Sequence, residues 1–442
     1  MRKIVIIGNG ISGITCARNI RKKSNDEITV VSGETEHFFS RTALMYIYMG
    51  HMKYEHTKPY EDFFWAKNRI NLVKDIVVTI DTKKRELFTK SNKLIHYDIL
   101  IIASGSITKK FDWPGQYLKG VVSLYSYSDL EEIEGQTKNI KNAVITGGGL
   151  IGVELAEMLH SRAINVTMLV KEKYYWNSVL PQTDASLVGE HIKGHGIKVL
   201  YETGLKEIIG NAEGKVEAII TTKGEKIECP LIGITTGVTP NISFLKDSGI
   251  ENDKGILVNK FFETNITDVY AIGDCAQFKE SINGRKNIEQ VWYTGRMHGE
   301  TLAQSVCGNK KAYNPGPWFN SAKFIDLEYQ TYGTVLPKIK EDEKYFHWKL
   351  PGKDIALTIV YNTSSRELIG INVFGIRLRH DLFDKWLMEK VSIDFMLTNF
   401  DKSIFDKEFT KSYVKDIIAS YNNKTNSKIQ YKRNGVLAFF NL

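Results

Sequence analysis

The sequence predicts an α/β protein: two doubly wound, three-layer domains built on parallel sheets, and a small α+β domain at the C-terminal end. Three observations predict it. An apolar strand runs into a glycine turn and a helix twice, in "KIVIIGNGISGITCARNI" (Lys3–Ile20) and "NAVITGGGLIGVELAEML" (Asn142–Leu159). Strands then alternate with helices, the pattern of parallel sheets. After "NPGP" (Asn314–Pro317) the pattern changes to β-rich runs, "KYFHWKL" and "IALTIVYN", set apart by the turn residues of "PGKD" and "NTSSRE". That reads as an antiparallel sheet, followed by a helix at "LRHDLFDKWLMEK".

The first strand, Ile4–Ile7, meets Gly8, Gly10 and Gly13 in GxGxxG spacing. Gly8 permits the tight turn and Gly10 lets backbone amides approach a pyrophosphate. Gly13 lets the helix pack close to the strand, and the helix dipole favours the negative charge. A second strand follows at "ITVVS" (Ile28–Ser32). An acidic residue about 20 positions on usually holds the ribose hydroxyls. Ser32 occupies the strand-end position, so Glu34 is the candidate. The section closes on "YDILIIASGS" (Tyr97–Ser106), an apolar strand running into Ser104 and Gly105, which are taken as cofactor contacts. The turn-rich "DWPGQ" (Asp112–Gln116) marks a break.

Gly147, Gly149 and Gly152 repeat the cradle. Its second strand, "NVTMLV" (Asn165–Val170), ends without an acid and is followed by Lys171 and Glu172. Glu172 suits the ribose 2′-OH of NAD, and a lysine suits the 2′-phosphate of NADP; no arginine follows, which favours NAD. This section closes on "PLIGITTGVTPN" (Pro230–Asn241).

The 442 residues are 42% hydrophobic and 25% charged, ordinary globular composition for two or three domains. The four cysteines, Cys16, Cys229, Cys275 and Cys307, form no CxxC pair, so no zinc ribbon, thioredoxin-type motif or iron–sulfur run is expected, and no metal site. Few cysteines in a long chain fit a reducing, cytoplasmic setting. No apolar stretch reaches membrane-spanning length. The closing "GVLAFFNL" (Gly435–Leu442) is too short to span and reads as packing on the body. The formal charge is +8, but lysines and arginines are dispersed, without a nucleic-acid motif. A positive surface that steers toward an acidic protein and plain solvated charge are the two readings that remain.

"TNITDVYAIGDCAQF" (Thr264–Phe278) adds a buried strand that ends in Gly273–Asp274, with a threonine upstream. With both cradles before it, the chain from residue 1 to about 310 resembles the two-dinucleotide-binding flavoprotein reductases of the pyridine nucleotide–disulfide oxidoreductase superfamily. The resemblance implies two Rossmann-like domains: an FAD-binding domain of residues 1–115 and 240–314, and an NAD(P)H-binding domain of residues 116–239. Residues 315–442 form the C-terminal α+β domain with a helical tail. It implies that Asp274 bonds the ribityl chain of the flavin and that Gly237 lines the nicotinamide side. Glu154 is implied near the place where hydride passes from nicotinamide C4 to flavin N5. Members often form dimers, so a homodimer is an expected assembly.

Disulfide-reducing branches carry a redox cysteine in the first domain. The matching segment here, "EHFFSRTALMYIYMG" (Glu36–Gly50), has none. Cys16 reads as a small buried residue, and Cys275 has no partner nearby in sequence. The segment instead resembles the "YxRxxLSK" region of ferredoxin-reductase-like members, matching at Ser40, Arg41 and Leu44. Tyr46 stands where that pattern has the lysine that pairs with the flavin-side glutamate. Arg41 is taken as an FAD contact, and Tyr46 and Glu154 as the catalytic candidates. In "IEQVWYTGRMHGETLA" (Ile288–Ala303) a helix is implied to face the isoalloxazine, with Trp292 beside it; "GPWFNSAKF" resembles the entry to the C-terminal domain in ferredoxin-, rubredoxin- and nitrite-reductase-type flavoproteins. The expected activity is transfer of electrons from NADH (or NADPH) through FAD to a small acidic redox protein: ferredoxin, rubredoxin or a nitrite reductase component. The alternatives are an NADH oxidase, a quinone-type reductase, and an NADH-responsive module like apoptosis-inducing factor.

Overall fold

The computed structural model describes residues 1–405, 407, 408 and 411–431. The chain divides into two compact units. The first comprises Met1–Thr146, Met158–Asn165 and Leu205–Pro315; the second comprises Gly147–Glu157, Val166–Gly204 and the chain from Gly316.

The first unit is built on a five-stranded parallel sheet in the order Val269–Ala271, Ile99–Ile102, Lys3–Ile7, Glu27–Ser32, Ile70–Lys74. Ile4 pairs with Ile28 on one side and Ile99 on the other. Ile4, Val5 and Ile6 are buried, as are Ile99–Ile102. Such continuous apolar runs belong to strands covered on both faces. Strand order reverses at Lys3–Ile7, so the crevice beyond the ends of Lys3–Ile7 and Ile99–Ile102 is the topological switch point where ligands bind in such sheets.

Helix Ile11–Arg21 packs on helix Trp292–Val306, and two glycines allow the approach. A Cβ on Gly295 would lie 2.7 Å from Ser12 Oγ, and one on Gly299 would lie 2.5 Å from the Ser12 carbonyl oxygen. In "PLIGITTGVTPN" the apolar strand is followed, past the small residues, by a second short strand. Ile232–Ile234 pairs in parallel with Asn142–Thr146, while Val238–Pro240 pairs antiparallel with Ser106–Thr108. Gly237, at φ +101°, turns the chain between them.

In the second unit, strand Asn165–Val170 runs parallel to Lys198–Tyr201, and helix Gln182–Gly194 lies between them in sequence. The unit also holds the antiparallel sheet that the β-rich runs predict, in the order Phe319–Phe324, Leu327–Gly333, Leu368–Phe374, Ala356–Asn362, Glu343–Lys349. Ile359, Ile371 and Val373 from that sheet share a core with Phe383 and Trp386 of helix His380–Met388 and Ile417 of helix Val414–Thr425. The tail helix thus starts at Val414, and "GVLAFFNL" lies outside the described residues.

A buried polar knot ties helix Gln182–Gly194 to the sheet. Asp184, with no exposed surface, accepts hydrogen bonds from the Thr358 hydroxyl (2.6 Å) and the Asn372 amide (2.9 Å). Among the described residues no helix is long and apolar enough to cross a membrane.

Candidate functional site

Four segments converge in the first unit at the strand ends of the switch point. The first is the glycine turn after Lys3–Ile7. A Cβ on Gly8 would lie 2.1 Å from the Ala103 carbonyl oxygen, and one on Gly13 would lie 2.1 Å from the Gly8 carbonyl oxygen. Both glycines are therefore demanded by backbone that cannot move aside. Gly10 is different: an added Cβ there meets nothing within 4 Å. The turn is closed behind and open in front of Gly10, as a pyrophosphate cradle requires.

The second segment follows Ile99–Ile102. Gly105 takes φ +70°, and the Ser104 hydroxyl donates to the Asn241 carbonyl (2.7 Å). The third is the turn after Val269–Ala271, where Gly273 takes φ +74° and Asp274 follows. The Asp274 carboxylate accepts from the Ser106 hydroxyl (3.1 Å) and the Tyr125 hydroxyl (3.3 Å). Burial pushes its pKa above the ordinary carboxylate range, against the opposing pull of Ser106, Arg41 and Tyr125. The Gly273 N–H donates to His298 Nδ1 (3.1 Å), so a fully buried histidine on helix Trp292–Val306 holds the aspartate turn. Behind it, His298 Nε2 lies 3.7 Å from Glu289, which also binds Tyr313 (2.8 Å) and Arg285 (3.1 Å).

The fourth segment runs from Glu34 to Arg41. These two predicted contacts meet each other: Arg41 makes a two-pronged ion pair with Glu34 (2.5 and 2.9 Å) and donates to the Tyr125 carbonyl. Glu34 also accepts from the Tyr127 N–H (2.8 Å). Tyr46 lies in the short helix Leu44–Tyr48, its ring stacked on His51 at 6.1 Å. Trp292 opens its helix half-buried, edge-on to Tyr293. Gly237 belongs to this unit; its carbonyl accepts from the Lys109 N–H (3.0 Å), and its Cβ position is open.

The second unit carries the other cradle. Gly147 takes φ +127° and its N–H donates to the Leu169 carbonyl (3.0 Å). Gly152 is buried one turn into the helix Leu150–Ser161. The Gly149 carbonyl accepts from the Tyr175 hydroxyl (2.9 Å), and its Cβ would approach only Trp176 Nε1, at 3.9 Å. Glu172 is half-buried just past strand Asn165–Val170. Glu154 is half-buried, and loss of solvent, with the Glu157 charge beside it, pushes its carboxyl up to about 7.

The pyridine nucleotide-disulphide oxidoreductase family model matches residues 2–299. This chain belongs to that family. Membership carries FAD and a nicotinamide nucleotide as cofactors, and the first cradle has the closed-back, open-front form such a group needs. Among curated relatives, the chain is 28% identical over 310 residues to nitrite reductase [NAD(P)H] of Bacillus subtilis, covering 70% of this chain and 38% of the relative. It is 29% identical over 313 residues to NADH-rubredoxin oxidoreductase of Clostridium acetobutylicum, covering 71% of this chain and 76% of the relative. It therefore spans well under half of the nitrite reductase. The solved structure of NADH:rubredoxin oxidoreductase from Clostridium acetobutylicum superposes with a TM-score of 0.70 at 25% identity, covering 95% of this chain and 99% of that one.

Sequence reasoning missed Ser106 by one residue and missed Tyr125, His298 and Glu289 altogether. Tyr125 precedes a capping box in which Ser126 accepts from the Asp129 N–H (3.1 Å). That box signals a helix start, and nothing in it points to Asp274. His298 and Glu289 lie in the segment assigned to the isoalloxazine-facing helix, where their partnership is a product of folding.

Proposed function

We propose that the protein is an FAD-dependent NAD(P)H:acceptor oxidoreductase that delivers electrons to an external redox protein without a disulfide relay. The state of the cysteines carries this reading. Cys16, Cys229 and Cys275 are buried, and all four cysteines are free thiols. Burial pushes the Cys229 thiol up to about 12 and raises Cys16 and Cys275 as well. Cys275, next to Asp274, turns its sulfur to the Ile102 and Ile272 carbonyls (3.4 and 3.3 Å). Thiols held protonated are poor nucleophiles and poor redox partners.

Bound FAD and nicotinamide supply the hydride and electron chemistry. The chain's own residues bind and orient. The Gly8–Gly13 turn and its helix dipole hold the flavin pyrophosphate, and Asp274, kept in place by Ser106 and Tyr125, takes the ribityl hydroxyls. Glu34 takes ribose hydroxyls, with Arg41 neutralising its charge and reaching the pyrophosphate. Ser104, Gly105 and Trp292 border the flavin; Gly237 lines the nicotinamide side. Gly147, Gly149, Gly152 and Glu172 hold the nicotinamide nucleotide, with NAD favoured. Glu154, whose carboxyl titrates near neutrality, holds or releases a proton beside the redox centre, with Tyr46 in the place of the family's lysine. The acceptor is a small acidic redox protein, drawn to a chain of net charge +8. The three domains divide at residues 115/116, 239/240 and 314/315. A cytoplasmic setting and a homodimer complete the proposal.

An anaerobic titration with NADH tests it. Flavin absorbance should bleach at one equivalent of NADH per FAD, and ferredoxin or rubredoxin should restore it. Consumption of two equivalents means that a cysteine centre exists and the reading is wrong.

A further inference from the structure

The second unit contains a cluster that neither cradle uses. His191 and His195 are one turn apart at the C-terminal end of helix Gln182–Gly194, and their rings lie 4.6 Å apart. Facing them is Asp326, at the tip of the hairpin that joins strands Phe319–Phe324 and Leu327–Gly333. His191 Nε2 lies 2.7 Å, and His195 Nε2 3.3 Å, from Asp326 Oδ1. The hairpin presents Asp326 through Ile325, a β-branched residue at φ +63°, where such side chains are strained.

The outer nitrogens have acceptor partners of their own. His195 Nδ1 lies 2.9 Å from the His191 carbonyl oxygen, and His191 Nδ1 lies 2.8 Å from Asp354 Oδ2. A carbonyl only accepts, so His195 Nδ1 donates; His191 has a carboxylate on each ring nitrogen, and the tautomer that donates from Nδ1 to Asp354 turns an unprotonated Nε2 to Asp326. In neutral imidazoles, each Nε2 then offers a lone pair. Two lone pairs and a carboxylate oxygen converge, and acceptors facing acceptors repel unless a cation lies between them. Histidines at i and i+4 with a third oxygen ligand match a divalent-metal site with one open position. The His191–Asp354 bond is the carboxylate support that metal-binding histidines usually have. The negative end of the helix dipole adds to the attraction.

Metal–ligand bonds of about 2.0 Å place tetrahedral ligand atoms roughly 3.3 Å apart. The His195–Asp326 separation is already that. The His191–Asp326 pair has to open slightly, and Asp326, 68% exposed, is free to swing. We propose that His191, His195 and Asp326 bind one divalent cation of the zinc type, with Asp354 as the positioning residue. The ion would staple helix Gln182–Gly194 to the hairpin of the antiparallel sheet.

The test is metal content, which does not depend on the redox reading. The FAD-loaded full chain is stripped with a chelator and equilibrated with Zn²⁺ alone, and bound zinc is counted per chain by equilibrium dialysis. The wild type should hold one tightly bound zinc and melt at a higher temperature with it. His195→Ala and Asp326→Ala should lose both effects, and Asp354→Asn should bind ten- to a hundredfold more weakly. His160→Ala, a change at an exposed histidine elsewhere, should match the wild type. If His195→Ala folds poorly, His195→Gln answers the same question. The proposal fails if the wild type takes up no stoichiometric zinc, in which case a proton is the cation between these groups. It also fails if the His195 and Asp326 variants bind zinc as the wild type does.

Discussion

Replacing Gly10 with alanine adds a methyl group at a backbone position that already suits any residue, φ −69° and ψ −178°. Nothing lies within 4 Å of the new Cβ. The apoprotein should be as stable as wild type or more so, because Gly→Ala at a compatible conformation gains about 0.4–1 kcal/mol by restricting the unfolded chain. The same methyl projects into the space in front of the glycine turn. If the flavin pyrophosphate sits there, FAD affinity should fall at least tenfold, about 1.4 kcal/mol. Gly13→Ala is the mirror experiment. Its Cβ would lie 2.1 Å from the Gly8 carbonyl oxygen and 3.2 Å from the Ile6 side chain. Backbone on one side and a packed core on the other leave no easy relief, so the apoprotein should lose about 1–3 kcal/mol or more. The assay pairs thermal melts of both apoproteins with FAD titrations followed by flavin fluorescence. Wild-type FAD affinity in Gly10→Ala, or a wild-type melt for Gly13→Ala, would refute the cradle geometry.

Tyr125→Phe removes the hydroxyl that accepts from the Ser106 N–H (2.9 Å) and donates to Asp274; the orphaned groups should cost about 1–3 kcal/mol, read in a denaturant titration, together with weaker FAD retention. Glu154 keeps its proton in the folded state up to about pH 7, whereas the unfolded chain loses it near 4.5. Its contribution to stability therefore falls as pH rises from about 4.5 to 7. Glu154→Gln should melt higher than wild type at pH 8, with the gap closing by pH 4; a constant gap across that range contradicts the assignment. Cys275→Ser should leave the NADH stoichiometry at one per FAD, whereas a drop from two to one would expose a thiol centre. Asp184→Ala removes the buried acceptor of the Thr358 hydroxyl and strands the Asn372 amide, and should destabilise by about 1–3 kcal/mol, measured by chemical denaturation.

The sheets and cradles were legible because they rest on local rules. Ile4–Ile7 is apolar throughout since the strand is covered on both faces, and Gly8 and Gly13 stand where neighbouring backbone leaves no room for a Cβ. Asp274 was legible as the end of a strand that carries a known motif. What could not be read depends on distant segments meeting. Glu34 and Arg41 were each assigned to the cofactor, and only the fold shows them paired, with Tyr125 and Tyr127 brought in from a later segment. His191 and His195 have a recognisable spacing, but one turn of helix is also ordinary surface patterning. Their meaning waits on Asp326, which comes from another part of the chain and is delivered by a hairpin tip. The second strand of the Pro230–Asn241 segment, Val238–Pro240, was not legible, because Gly237 adopts a conformation that the apolar pattern does not encode.

The fit of Gly295 and Gly299 against Ser12 has a consequence for how the protein is made. Helix Ile11–Arg21, which follows the first glycine turn, is synthesised long before its packing partner. The surface it rests on is Trp292–Val306, and the strand that finishes the central sheet, Val269–Ala271, also comes late. Until those segments emerge, strand Ile99–Ile102 has an open apolar edge and Asp274 does not yet exist in the nascent chain. If the first glycine turn and Asp274 hold the flavin as proposed, its acquisition is postponed until about residue 300 has been synthesised. A chain that stalls earlier presents a sticky sheet edge with no cofactor to cover for it, a state that chaperones rather than FAD must manage.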